Sequence, residues 1–187
     1  MDIVEFSKQL TSALPITKEG ITEAVKESRA VREKAGTYDI SVILHEFVEL
    51  MEEVLNHNNI YGILEELADC VLSVAYLADY FNRPWESVWD KASRFANETI
   101  ETGSYSIYEP QLAIVLCKSY KRISKLLPIE NKTDPAAVVI IDDMLQNTLT
   151  NLAYIKCAHK IEDDQLNRAI RVKVNRELER IRAYKEE

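Results

Sequence analysis

The sequence predicts an all-α protein, a helical bundle of two tandem three-helix repeats preceded by two short N-terminal helices. Three observations predict it. Turn-forming residues are scarce, with four Gly and five Pro among 187 residues, while 47% of the chain is apolar, which is a helical composition. Apolar residues recur every three to four positions in successive segments, the period of one helix face. The second half of the chain also echoes the first at a nearly constant offset.

Composition excludes several classes. A net charge of −8 argues against a nonspecific nucleic-acid binder, whose phosphate partner demands basic residues. No uncharged run approaches 18 residues, so no membrane span is expected. The opening MDIVEFSKQL has neither the basic nor the apolar region of a signal peptide. Cys70, Cys117 and Cys157 show no CxxC spacing and read as reduced, buried thiols of a cytoplasmic protein.

Residues 2–14 form a first helix that stops before Pro15, and Thr17 to Ala35 a second, closing with Arg29, Arg32 and Lys34 ahead of Gly36. Together, residues 1–37 are expected to pack on the bundle. Asp39 is placed to cap the next helix. That helix and its successor, within residues 40–80, organise the chain. The first carries Glu46, Glu49, Glu52 and Glu53 on one side and Ile43, Phe47, Leu50, Met51 and Val54 on the other. After a turn at Asn56 to Asn59, the second carries Glu66 and Asp69 and then runs from Cys70 to Ala78 without a charge.

Positions i and i+3 are neighbours on a helix, so Glu46/Glu49 and Glu66/Asp69 are two carboxylate pairs that an antiparallel turn brings face to face. The uncharged run predicts that the second helix is buried, which carries its acids towards the interior, where unpaired charge is costly. Taken alone, the first pair also reads as the solvated stripe of an amphipathic helix. The second pair favours a cation site of Glu46, Glu49, Glu66 and Asp69, and hard oxygen donors select Mg²⁺, or Mn²⁺, over zinc. A di-iron bundle is excluded because it needs Glu-x-x-His pairs, which the three histidines do not form.

Asn82-Arg83-Pro84 ends this helix and opens another, from Pro84 to about Glu101, whose expected apolar face is Trp85, Val88, Trp89, Ala92, Phe95 and Ala96. Thr102 to Pro110 is a linker within the boundary between a first repeat, 38–107, and a second, 108–187. LHEFVELMEEVL (44–55) aligns with LCKSYKRISKLL (116–127) at an offset of 72, and ILEELADCVLSVAYL (63–77) with IDDMLQNTLTNLAYI (141–155) at 78. In the second copy the four acids become Lys118, Lys121, Met144 and Asn147, so the second repeat is degenerate and one metal site remains. The last helix, from Asp163, is densely charged and is expected to end in solvent.

Glu46-Phe47-Val48-Glu49, sixteen residues, then Glu66-Leu67-Ala68-Asp69 within EELADCVLSV resembles the ExxE…ExxD signature of the all-α nucleoside triphosphate pyrophosphohydrolases. That superfamily includes MazG, the dimeric dUTPases, dCTP pyrophosphatases and phosphoribosyl-ATP pyrophosphohydrolase. The likeness covers residues 38–101 well and 108–185 weakly. His45 stands where the family often has a further Glu. The resemblance implies Mg²⁺-dependent hydrolysis of a (deoxy)nucleoside triphosphate to the monophosphate and diphosphate. It implies that Glu49 or Glu53 accepts the water's proton, and that Lys91, Arg94 and Asn97, which loosely match the family's last bundle helix, hold the triphosphate. The half-degenerate tandem arrangement is similar to that of the dimeric dUTPases, which implies a homodimer. The alternative is a catalytically weak module that binds or sequesters nucleotides, and His45 would suit it.

Overall fold

A computed structural model of the chain describes residues 3–34, 40–56, 59–101, 109–130 and 132–186. These fold into eight α-helices: α1 (Ile3–Ser12), α2 (Lys18–Lys34), α3 (Ile43–Asn56), α4 (Ile60–Tyr80), α5 (Trp85–Glu101), α6 (Glu109–Leu126), α7 (Pro135–Ala158) and α8 (Asp163–Glu186). A short 3-10 turn at Ile40–Val42 leads into α3. Among the described residues there is no strand, and no helix is long and apolar enough to cross a membrane. The expected cap Asp39 and most of the expected linker lie outside the described residues.

α4 is the hub. Its N-terminus is capped by Asn59, whose side-chain oxygen accepts from the Tyr61 N–H at 3.0 Å, satisfying one of the donors that a helix start leaves open. Thirteen of its residues are buried, including Leu67, Val71, Val74 and Leu77, as the uncharged run demanded. It packs against α1, α2, α3, α5, α7 and α8. The other helices offer narrower apolar faces: Phe6 and Leu10 on α1, Ile21 and Val25 on α2, Phe47 and Leu50 on α3. All eight contribute to one continuous core.

The packing crosses between the halves of the chain. α3 lies on α4 and on α6, and α6 lies on α7. The helix that follows each central helix then packs chiefly across the divide, α5 on α7 and α8 on α4. The turns after α4 and α7 are alike. Phe81 and His159 both have φ −92°, and Asn82 and Lys160 are left-handed at φ 54° and 53°. The Arg83 N–H donates to Ala78 O at 2.8 Å and the Ile161 N–H to Lys156 O at 2.9 Å, the closing bond of a helix C-cap. The two turns are 160 − 82 = 78 residues apart, the offset at which the helices before them align.

Two expectations about individual residues are corrected. Phe95 is not in the apolar face of α5: it is 56% exposed, set edge-on to Tyr154, and the buried residues are Trp85, Trp89, Ala92 and Ala96. Of the cysteines only Cys70 is buried; Cys117 is exposed and Cys157 partly so, because α6 and α7 are amphipathic at those positions where α4 is not. α5 is held to α2 by the Trp85 indole N–H donating to Thr22 Oγ1 at 2.9 Å and by ion pairing of Lys18 with Asp90.

Leu67, fully buried in α4, tests this packing. Leu67→Ala is expected to lower unfolding free energy by about 2–5 kcal/mol, read from urea denaturation, whereas exposed Val139→Ser should stay within about 0.5 kcal/mol of wild type.

Candidate metal centre

The antiparallel pairing of α3 and α4 brings Glu46, Glu66 and Asp69 together. One carboxylate oxygen from each lies within 4.8 Å of the others, and all three side chains are half-buried. Glu66 Oε2 is buried and accepts no hydrogen bond among the described residues, a state that costs free energy unless something satisfies it. Glu49, expected as a fourth ligand, is exposed and outside this group. Its charge is still close enough to raise the proton affinity of Glu46, Glu66 and Asp69. Glu53 lies over the start of α4: a Cβ on Gly62 would collide with Glu53 Oε2, so glycine permits this approach. Gly62 is one helical turn before Glu66 on the same face.

The triad is electrostatically strained. Burial, followed by the charges of Asp69 and Glu49, pushes the Glu46 pKa up from its ordinary 4.5 to about 7. Burial and then the Asp69 charge push Glu66 up to about 8. Burial also raises Asp69, although Lys173 works against it. Three converging carboxylates, one of which carries an orphaned oxygen, fit a hard divalent cation of the Mg²⁺ or Mn²⁺ kind. A cation there would relieve the like-charge crowding and satisfy Glu66.

Positive charge reaches the acids from α8. The Lys173 ammonium donates to Glu65 Oε1 at 2.8 Å and pairs with Asp69. Burial works to lower its pKa, but Asp69 and Glu65 hold it above the ordinary lysine value. Beside Glu46 and Asp69 opens a cavity of about 200 Å³. Its lining combines apolar Val42, Ile43, Leu72 and Tyr76 with basic Arg32, Lys173, Arg176 and Arg180. Lys173, Arg176 and Arg180 also line a groove of about 970 Å³ bordered by α1 and α8.

These cations are not equivalent. Arg32 is spent on a two-pronged bond to Glu177, at 2.6 and 2.7 Å. Glu177 also accepts from Ser28 at 2.5 Å, and against burial these bonds hold its pKa below the usual carboxylate value. Arg176 donates to Gln9 Oε1 at 2.9 Å. The Arg180 guanidinium, close enough to Glu46 to lower its pKa, makes no hydrogen bond or ion pair among the described residues.

The residues expected to hold triphosphate lie elsewhere. Lys91 is exposed on α5, Arg94 donates to the Asp90 carbonyl at 3.4 Å, and Asn97 Oδ1 accepts from Cys157 Sγ at 2.9 Å. None of the three lines the cavity, because α5 packs across onto α7. Lys118 and Lys121 are exposed on α6, and Asn147 donates to Asp143 within its own helix, so no acid cluster forms there among the described residues. Lys173 and Arg180 had one signal in the sequence: Lys173, Arg176 and Arg180 at i, i+3 and i+7 make a basic stripe on one helix face. No family model, curated protein or solved structure matches this chain.

A carboxyl whose folded-state pKa lies above its unfolded value favours folding while protonated, and that contribution is lost as pH rises through the folded pKa. Without divalent ions, stability is therefore expected to fall between about pH 4.5 and pH 8, the interval spanned by the ordinary carboxyl value and the raised Glu46 and Glu66. Glu66→Gln should flatten that slope, measured as melting temperature against pH. Mn²⁺ should raise the melting temperature of wild type more at pH 8.5 than at pH 6, because protons compete for the ligands.

Proposed function

We propose that this protein is a Mg²⁺-dependent nucleoside triphosphate pyrophosphohydrolase, converting a (d)NTP and water to the (d)NMP and diphosphate. The observation that carries this reading is the junction of two opposite features: Glu46 and Asp69, two of the three clustered acids, line the same cavity as Arg180 and Arg176. A cation site next to uncommitted guanidinium is what a metal-bound polyphosphate requires. The apolar lining at Leu72 and Tyr76 offers a surface for the base.

Glu46, Glu66 and Asp69 would hold Mg²⁺, with Glu49 at the exposed rim. When bound, the ion would neutralise phosphate charge and lower the pKa of a water. Arg180 and Arg176 would grip the phosphate oxygens with planar, bidentate donors. Glu49, beside the triad but outside it, would accept the proton of the attacking water, with Glu53 one turn of α3 further on. Water adds to phosphorus, the α–β bridging bond breaks, and diphosphate departs with the bridging oxygen.

We also propose that the bundle arose as two tandem three-helix repeats, α3–α5 and α6–α8. The matching left-handed turns and the crossed packing of α5 on α7 and α8 on α4 support this. On this reading the degenerate repeat keeps a role, since its α8 supplies Lys173, Arg176 and Arg180 to the acids of the first.

A panel of canonical NTPs and dNTPs with Mg²⁺ tests the reading. Diphosphate and a monophosphate are expected from one or a few nucleotides, with kcat reduced about 100-fold or more in Glu66→Gln. Arg180→Ala should raise KM about tenfold with less effect on kcat, the loss of one charge-assisted hydrogen bond. Nucleotide binding without diphosphate release would favour a sequestering module, and neither binding nor release would refute both.

A further inference from the structure

Lys173, like Lys156, retains little contact with water, but it alone of the two is held by two acids. Its side chain is 11% exposed and lies between Glu65, at 4%, and Asp69, at 22%. The ammonium binds both carboxylates, and it sits 5.9 Å from the Phe6 ring centroid, where α1 closes over it. Glu65 has no place in the triad, yet it is one of the few charged residues buried in the protein. Its one hydrogen-bond partner among the described residues is Lys173.

We infer that Lys173 is a tethered cation of the acid site, its ammonium holding the place of a second divalent ion, so that each chain binds one divalent ion. The inference rests on the metal reading of the triad. In two-ion carboxylate sites the ions stand about 3.5–4 Å apart and share ligands. Here Asp69 belongs to the triad but gives Oδ2 to Lys173. Glu65, the remaining acid within reach of a second ion on that side, is bound to the same ammonium. An ion entering there must displace a charge anchored to α8 through a covalent stem. Lysine suits the position as a compact point charge with three donors. Two of its contacts are to carboxylates, and the adjoining cavity lies open to a phosphate oxygen.

Titration with Mn²⁺, followed by loss of the free-ion EPR signal, tests this without reference to turnover. Wild type and Lys173→Arg should each bind one ion per chain. Lys173→Gln, which removes the charge but leaves a hydrogen-bond donor for Glu65, should bind two. Two ions on wild type, or one on Lys173→Gln, would overturn the inference while leaving the triad as a metal site. No ion on either protein would overturn the metal reading and the inference together. Should Lys173→Gln be unfolded without divalent ions, the same titration is read on protein refolded by Mn²⁺, with circular dichroism confirming the helix: two ions per refolded chain support an ion in the ammonium's place, and one ion, or no refolding at saturating Mn²⁺, contradicts it.

Discussion

The crowding of three carboxylates between α3 and α4 is the constraint on which the site depends. Burial of α4 is what makes it severe. The apolar run from Cys70 onwards drives that helix into the core, and Glu65, Glu66 and Asp69 go with it because they lie on the turns just before that run, in a helix with buried residues from Gly62 to Ala78. Raised proton affinity at Glu46 and Glu66 expresses the repulsion and desolvation that result. The fold offsets part of this with a lysine from α8 and leaves part uncompensated, most plainly at Glu66 Oε2. Uncompensated charge in a folded core is expensive, and a ligand that supplies the missing countercharge is the physical reason to retain it.

Chain topology decides where the countercharge comes from. Lys173 and Glu65 are 108 residues apart, so the acids and bases of the site are joined only once α8 has docked on α4. α2 reinforces this docking, with Arg32 bonded to Glu177 and α2 packed on both α4 and α8. The same helix therefore closes the core and builds the cation-rich wall of the cavity. Leu166, Ile170 and Val174 of α8 are buried, and Arg176 and Arg180 extend from the following turns.

The helices, and the meeting of three of the four expected acids, were legible in the sequence because both rest on local periodicity. Glu46, Glu66 and Asp69 follow from i, i+3 spacing and an uncharged run. Glu49 shows the limit of that argument: three residues advance a helix by 300°, so it lies about 60° around the axis from Glu46, and here that is enough to turn it to solvent. Lys173 and Arg180 were hidden for a different reason. Helix faces can be read from periodicity, but which face meets which depends on the crossing of α5 and α8 to opposite partners. That crossing carries Lys91, Arg94 and Asn97 away from the acids and brings in α8, expected only to end in solvent, in their place.

Crystals equilibrated with Mn²⁺, with diffraction recorded at the manganese absorption edge, test the central claim most directly. The account predicts an anomalous peak at coordination distance from carboxylate oxygens of Glu46, Glu66 and Asp69, with Lys173 still bonded to Glu65. Manganese-free density between those three carboxylates, at an ion concentration that occupies other sites in the crystal, would contradict it.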